Sequence, residues 1–230
     1  MSPEIRLFNE DCMLAMSRMR DNEFSLALVD PPYGVNIGQV VGGGKPFGSK
    51  GENRRGKVIS PKTYRGFDDS RIPQAEYFKE LQRVTKNQVI FGGNYFIDHL
   101  QNTSCFIVWD KDNSGNFADA ELAWTSFKTA TRIFKFRWNG MLQQNMKQKE
   151  IRIHPTQKPV ALYKWLLKNY AKPGDRILDT HLGSGSSAIA AYDMGFEFEG
   201  YEIDAEYFEA ARDRYERHIA QGVLNLGERG

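Results

Sequence analysis

The chain has 230 residues, 40% hydrophobic and 13% aromatic, enough to bury a sizeable core as one domain spanning 1–230. No window reaches the apolar length of a membrane helix. The opening MSPEIRLFNEDC lacks the basic-then-apolar order of a signal peptide, so a cytosolic protein is expected. The formal net charge of +2 is unevenly placed: between Gly34 and Gly66 seven basic residues stand against the single acid Glu52, leaving the remainder of the chain acidic.

FSLALVD reads as a buried strand that ends on Asp30 and is followed by Pro31, Pro32 and Tyr33. The segment 34–66 carries Lys45, Lys50, Arg54, Arg55, Lys57, Lys62 and Arg65 among nine glycines, with no sustained helix or strand period. It reads as a long loop, and its charge suits phosphate contact. IPQAEYFKELQRVTK predicts an amphipathic helix, QVIFGGN and SCFIVWDK strands, ADAELAWTSF a helix and TRIFKFRW an extended segment. Beyond HPTQKP come the helix VALYKWLLKNYA, the strand DRILDT, the helix SSAIAAYDMG, the strand FEFEGYEID and the closing helix AEYFEAARDRYERHIA. This alternation predicts a doubly wound α/β sheet with ligands at the carboxyl ends of its strands. Cys12 and Cys105 are far apart and the four histidines are scattered, so neither a disulfide nor a metal site is expected.

Chemistry first shows in ILDTHLGSGSSAIAA followed by GYEID. Gly183, Gly185 and Ala188 fit G-x-G-x-x-A between a strand and a helix, and Glu202 ends the next strand 19 residues after Gly183. In such a unit the glycines, with Ser184 between them, admit a ligand close to the backbone. Glu202 can accept hydrogen bonds from both ribose hydroxyls, and Asp179, before the turn, can meet an ammonium or the loop backbone. NAD and S-adenosylmethionine both suit this pattern. However, the glycine turn follows some 180 residues instead of opening the fold, and an NAD oxidoreductase leaves DPPY and HPTQKP without a task.

Asp30 supplies the other half. At the carboxyl end of a buried strand it faces the ligand crevice, and an exocyclic amine needs two acceptors to hold its hydrogens and aim its lone pair. The Asp30 carboxylate and the Pro31 carbonyl can be those acceptors, with Pro32 stiffening the exit and Tyr33 offering a face for an aromatic ring.

DPPYG, then HPTQKP, then LDTHLGSGSSAIAA with GYEID closely resembles the amino-group DNA methyltransferases in which the catalytic motif precedes the cofactor motif. The resemblance covers nearly the whole chain. It implies a permuted Rossmann-like fold with a mostly parallel seven-stranded sheet, S-adenosylmethionine as donor, and a base amine in double-stranded DNA as acceptor. The aspartate form of DPPY favours N6 of adenine over N4 of cytosine.

The resemblance also assigns Asp30, Pro31, Pro32 and Tyr33 to the flipped base. It sets Thr156, Gln157 and Lys158 near the methionine carboxylate and Asp11 near the cofactor's adenine amine. His181 replaces a customary phenylalanine after Asp179 at the cofactor. Methylation of an RNA or protein amine, and a non-catalytic DNA-binding module, are the other readings. Only about a dozen residues separate FRWNGM from HPTQKP, so target recognition is expected from the 34–66 loop, from a short segment over 141–153, or from a second subunit of a homodimer.

Overall fold

The computed structural model describes residues 2–35, 51–52, 58–59, 72–113, 118–139 and 142–227. All seven basic positions of the 34–66 segment lie outside these. Eight strands form the main sheet: β1 (Ile5–Asn9), β2 (Phe24–Val29), β3 (Thr85–Phe91), β4 (Phe106–Asp110), β5 (Ala120–Thr125), β6 (Arg132–Lys135), β7 (Arg176–Asp179) and β8 (Glu197–Glu202). The helices are α1 (Cys12–Arg18), α2 (Ala75–Val84), α3 (Val160–Tyr170), α4 (Ser186–Met194) and α5 (Ala205–Gly227). Among the described residues no helix is long and apolar enough to cross a membrane.

Spatial order is β1-β8-β7-β2-β3-β5-β4-β6. Only β5 runs antiparallel to its neighbours, so the sheet is mainly parallel, with one strand more than the seven expected. The chain reaches the β7-α4-β8 unit last, yet that unit sits in mid-sheet between β1 and β2. This is the permuted order that the motifs implied. Consecutive strands leave β2 and β7 in opposite directions, so the switch point of the sheet lies between these two neighbours. In open α/β sheets ligands bind outside the carboxyl ends of the strands at such a point.

Both sheet faces are covered, which is why the strands read as continuous apolar runs. Leu26 and Leu28 of β2 pack with α3 and α4 through Leu162, Leu166 and Ala188. Ala27 and Val29 point oppositely, onto α1 and α2 through Met16, Phe78 and Leu81. Helix α2 buries Tyr77, Phe78, Leu81 and Val84, a single stripe at helical spacing.

The expected helix over ADAELAWTSF is instead β5. Ala, Glu and Leu are good helix formers, but this segment pairs along both edges, with β3 and β4, and buries Ala123, Trp124 and Thr125 consecutively. Burial on both faces erases the two-residue alternation that marks a strand, and tertiary pairing overrides propensity.

Candidate active site

At the end of β2, Asp30 has both carboxylate oxygens engaged. Tyr33 donates its hydroxyl to Oδ1, and the Lys158 ammonium donates to Oδ2. Lys158 is only 4% exposed, lies 3.3 Å from Oε2 of Glu121 on β5, and stands 4.7 Å from the Phe91 ring centroid. The other Glu121 oxygen is held by Lys111, just past β4. The carboxyl ends of β2 and β4, the start of antiparallel β5 and the HPTQKP segment thus converge on a row of alternating charge: Asp30, Lys158, Glu121, Lys111.

Burial alone would lower the Lys158 pKa, but Asp30 and Glu121 raise it above the ordinary lysine value. Burial likewise opposes ionisation of Glu121, yet Lys158 and Lys111 hold its carboxyl below the usual range. Burial first, and Asp30 second, push Tyr33 well above its ordinary value, so the phenol remains a donor. Its ring stacks on the half-exposed Tyr95 at 5.1 Å and meets Phe96 edge-on at 6.0 Å. Gly92 makes room for it: φ is +67°, and a Cβ there would stand 2.2 Å from the Tyr33 ring.

The second half of the candidate site is the turn between β7 and α4. Gly183 has φ +52°, and a Cβ on it would meet nothing nearer than the His181 carbonyl at 3.8 Å, so the backbone is open to a ligand. Its N–H donates to Glu202 Oε2 at 2.9 Å, while Asp204 N–H donates to Oε1 at 3.0 Å. Each carboxylate oxygen keeps a second lone pair, so Glu202 can still accept two hydroxyls. Asn9, opposite it on β1, holds the Glu202 carbonyl at 2.8 Å.

Asp179 is buried and committed to the turn itself, accepting from His181 N–H at 3.0 Å and from Ser187 Oγ at 2.6 Å. Burial pushes its carboxyl up to about 7. His181 is packed against the Tyr77 ring at 5.3 Å, with Nδ1 2.9 Å from Thr180 Oγ1. Burial brings it down to about 4, so it is a neutral imidazole near pH 7. Asp11 uses Oδ1 to cap α1, accepting from Met13 and Leu14 N–H at 2.7 and 3.2 Å.

The polar HPTQKP side chains all have partners within the protein. Gln157 is buried and turned into its own loop, where its Oε1 accepts from Ile153 N–H at 2.9 Å and its carbonyl accepts from Trp138 Nε1 at 2.8 Å. Thr156 Oγ1 lies 3.0 Å from His154 Nδ1. Lys158 belongs to the Asp30 row, so Thr156 and Gln157 are engaged within the loop and Lys158 across the sheet ends.

Ser184 is buried with its Oγ 3.2 Å from Ser186 Oγ. Arg214 of α5 donates to the Ser184 carbonyl (2.7 Å), to Ser186 Oγ (2.9 Å) and to Glu150 Oε2 (2.7 Å). Glu150 in turn accepts from the first N–H of α3, at Val160, and pairs with Gln143 through both of its backbone groups. The segment over 142–153 is therefore fastened to the glycine turn.

Glu121, Lys111, Tyr95, Glu150 and Arg214 were not among the residues the sequence pointed to. A signal existed for Arg214, which continues the buried stripe of Tyr207, Phe208 and Ala211 at helical spacing. Reading β5 as a helix hid Glu121.

Residues 112–213 match the family model described as DNA methylase. The chain is 25% identical to the Type II methyltransferase M2.DpnII of Streptococcus pneumoniae, covering 91% of this chain and 89% of that protein. It is 23% identical to the Type II methyltransferase M2.LlaDCHI of Lactococcus lactis subsp. cremoris, covering 94% and 91%. Among solved structures, the M1.HpyAVI-SAM complex shares the fold with a TM-score of 0.54 at 20% identity, over 91% of this chain and 99% of that one. PvuII DNA methyltransferase, titled cytosine-N4-specific, does so with a TM-score of 0.58 at 14% identity, over 95% and 91%. Such identities carry the fold alone. With the order of DPPY, HPTQKP and the glycine turn on a permuted sheet, and with relatives along nearly its whole length, the chain is similar to the amino-group DNA methyltransferases.

Proposed function

We propose that this protein transfers a methyl group from S-adenosylmethionine to the exocyclic amine of a base in double-stranded DNA, and that the base is adenine, methylated at N6. The observation that carries the reading is the adjacency of Asp30 and the glycine turn. They follow neighbouring parallel strands, β2 and β7, and so stand side by side at the switch point of the sheet.

The residues of the turn fit the cofactor. Gly183 leaves open backbone beside Glu202, whose spare lone pairs suit a ribose diol, and the exposed Ile203 offers an apolar surface next to it. When bound, S-adenosylmethionine supplies an electrophilic methyl on a sulfonium. The chain's own residues align and desolvate the amine and favour the positive charge that grows on nitrogen, without a metal or covalent intermediate. Asp30 accepts an amine hydrogen and places a negative charge there. A base within a duplex is out of reach of such a site, so the nucleotide is flipped, and Tyr33 replaces part of its lost stacking.

N4 of cytosine is the second reading, favoured by the fold shared with PvuII DNA methyltransferase. The deciding experiment is transfer of tritiated methyl groups to unmethylated bacteriophage λ DNA, followed by digestion to nucleosides. N6-methyladenine supports the first reading and N4-methylcytosine the second. Label in RNA or protein but not in DNA overturns both.

Glu202→Ala is expected to weaken S-adenosylmethionine binding by about 1.5–3 kcal/mol, the range for hydrogen bonds to a charged group. Titration calorimetry on the folded variant checks this, and unchanged affinity removes Glu202 from the cofactor. Because Glu202 also accepts two backbone N–H groups, Glu202→Gln, which keeps one acceptor, is expected to lose less.

For DNA, the proposed footprint is the basic segment over 34–66, on its charge, with 141–153 as the short recognition segment. Replacing Arg54, Arg55 and Lys57 by glutamine is expected to weaken duplex binding and leave cofactor binding unchanged. Removing one cation from a phosphate flattens the slope of log affinity against log salt by about 0.9, so removing three flattens it by roughly 2 to 3. Anisotropy titrations across salt that show the wild-type slope exclude this footprint.

A further inference from the structure

Asp30 already accepts from Tyr33 on one oxygen and from the Lys158 ammonium on the other, and while that ammonium sits there it cancels the negative charge that a target amine would meet. For Asp30 to present its charge, the ammonium has to move off it. Tyr33 is fixed by its stack on Tyr95, its edge contact with Phe96 and its close approach to Gly92. Lys158 carries its ammonium on a flexible four-carbon stem, and a second carboxylate stands 3.3 Å away. That carboxylate, Glu121 Oε2, is aimed at it because Lys111 anchors the other oxygen.

From this geometry we infer that Glu121 is a positioning residue, receiving the Lys158 ammonium when the target amine takes its place on Asp30. The inference rests on the proposed role of Asp30 as holder of that amine. Without Glu121, an ammonium displaced from Asp30 would be a buried charge with no partner, which is strongly unfavourable. With it, the lysine exchanges one carboxylate for another within the same row, and the amine meets a carboxylate whose charge is no longer compensated.

The test is Glu121→Gln, which keeps an acceptor for Lys111 but removes the charge that draws Lys158 away. With unmethylated λ DNA and tritiated S-adenosylmethionine, kcat/KM for DNA is expected to fall about tenfold or more, while cofactor affinity by calorimetry stays within about twofold. Lys158→Met added to Glu121→Gln removes the competitor from Asp30 and is expected to recover part of the loss, a reversal that a merely structural role for Glu121 does not give.

Wild-type kcat/KM in Glu121→Gln, or a double variant no better than the single one, overturns the inference. If Glu121→Gln does not fold, Glu121→Asp retains the charge both lysines need but draws it back by one methylene. A smaller loss of the same kind is then expected, and a wild-type rate overturns the role. Failure of the wild type itself to label DNA overturns the underlying reading of Asp30, and is distinguished by appearing before any substitution is made.

Discussion

Asp30→Ala is expected to lower methyl transfer to DNA by at least the roughly 10²–10³-fold that loss of one preorganised electrostatic group costs an enzyme, while S-adenosylmethionine affinity stays within several-fold. The separation follows from the topology. Asp30 belongs to the β2 exit, whereas the glycine turn, Glu202 and Asn9 that shape the cofactor side belong to β7, β8 and β1. The substitution leaves the Lys158 ammonium with Glu121 as its remaining carboxylate, so the fold keeps a counter-ion for this buried lysine. Thermal unfolding controls for stability. Asp30→Asn sharpens the test, since the amide retains an acceptor of the same shape but no charge, and an intermediate loss is expected. A rate near wild type in folded Asp30→Ala removes this residue from the reacting centre.

What the sequence made legible was whatever depends on local order. The run from Phe24 to Asp30, the glycine turn with Glu202 at its fixed distance, and the helices with a single buried stripe all carry their structural cause within a few residues. Even the permuted sheet was readable, because it follows from which motif comes first. The misreading of β5 arose where partners decide: its segment has helix-forming composition, and only pairing with β3 and β4 makes it a strand.

The same limit explains the site. Lys158 stands in a recognisable motif, but its partner is 128 residues away in sequence, and Glu121 lies on the very strand that was misread. His181 is similar. Its departure from the family pattern is plain in the sequence, whereas its neutral state comes from burial against Tyr77 and Thr180, which only the fold supplies.

Arg214→Met is expected to destabilise the protein by about 2–3 kcal/mol, in the range for a charged hydrogen-bonded group removed from a partly buried pair. The methionine preserves much of the arginine stem's volume, so the loss reports the guanidinium's bonds instead of a cavity. Those bonds fasten three things at once. They are the Ser184 carbonyl in the glycine turn, Ser186 Oγ at the start of α4, and Glu150 next to the first turn of α3. Ser186 Oγ also donates to the Lys158 carbonyl at 2.7 Å, which ties that lysine's backbone to the same point.

For a chain of this length the melting temperature is expected to drop by roughly 4–12 °C, and S-adenosylmethionine binding to weaken with it, because the turn loses the group that sets its carbonyl. Adding Glu150→Gln to Arg214→Met removes the carboxylate left without its cation, so the double variant is expected to be more stable than the sum of the two single losses. This distinguishes a paired charge from a helix-surface arginine, whose replacement shifts stability by no more than about 0.5 kcal/mol. Unchanged melting and unchanged cofactor affinity in Arg214→Met would show that the turn holds its shape without α5, leaving the glycines and Glu202 to set it alone.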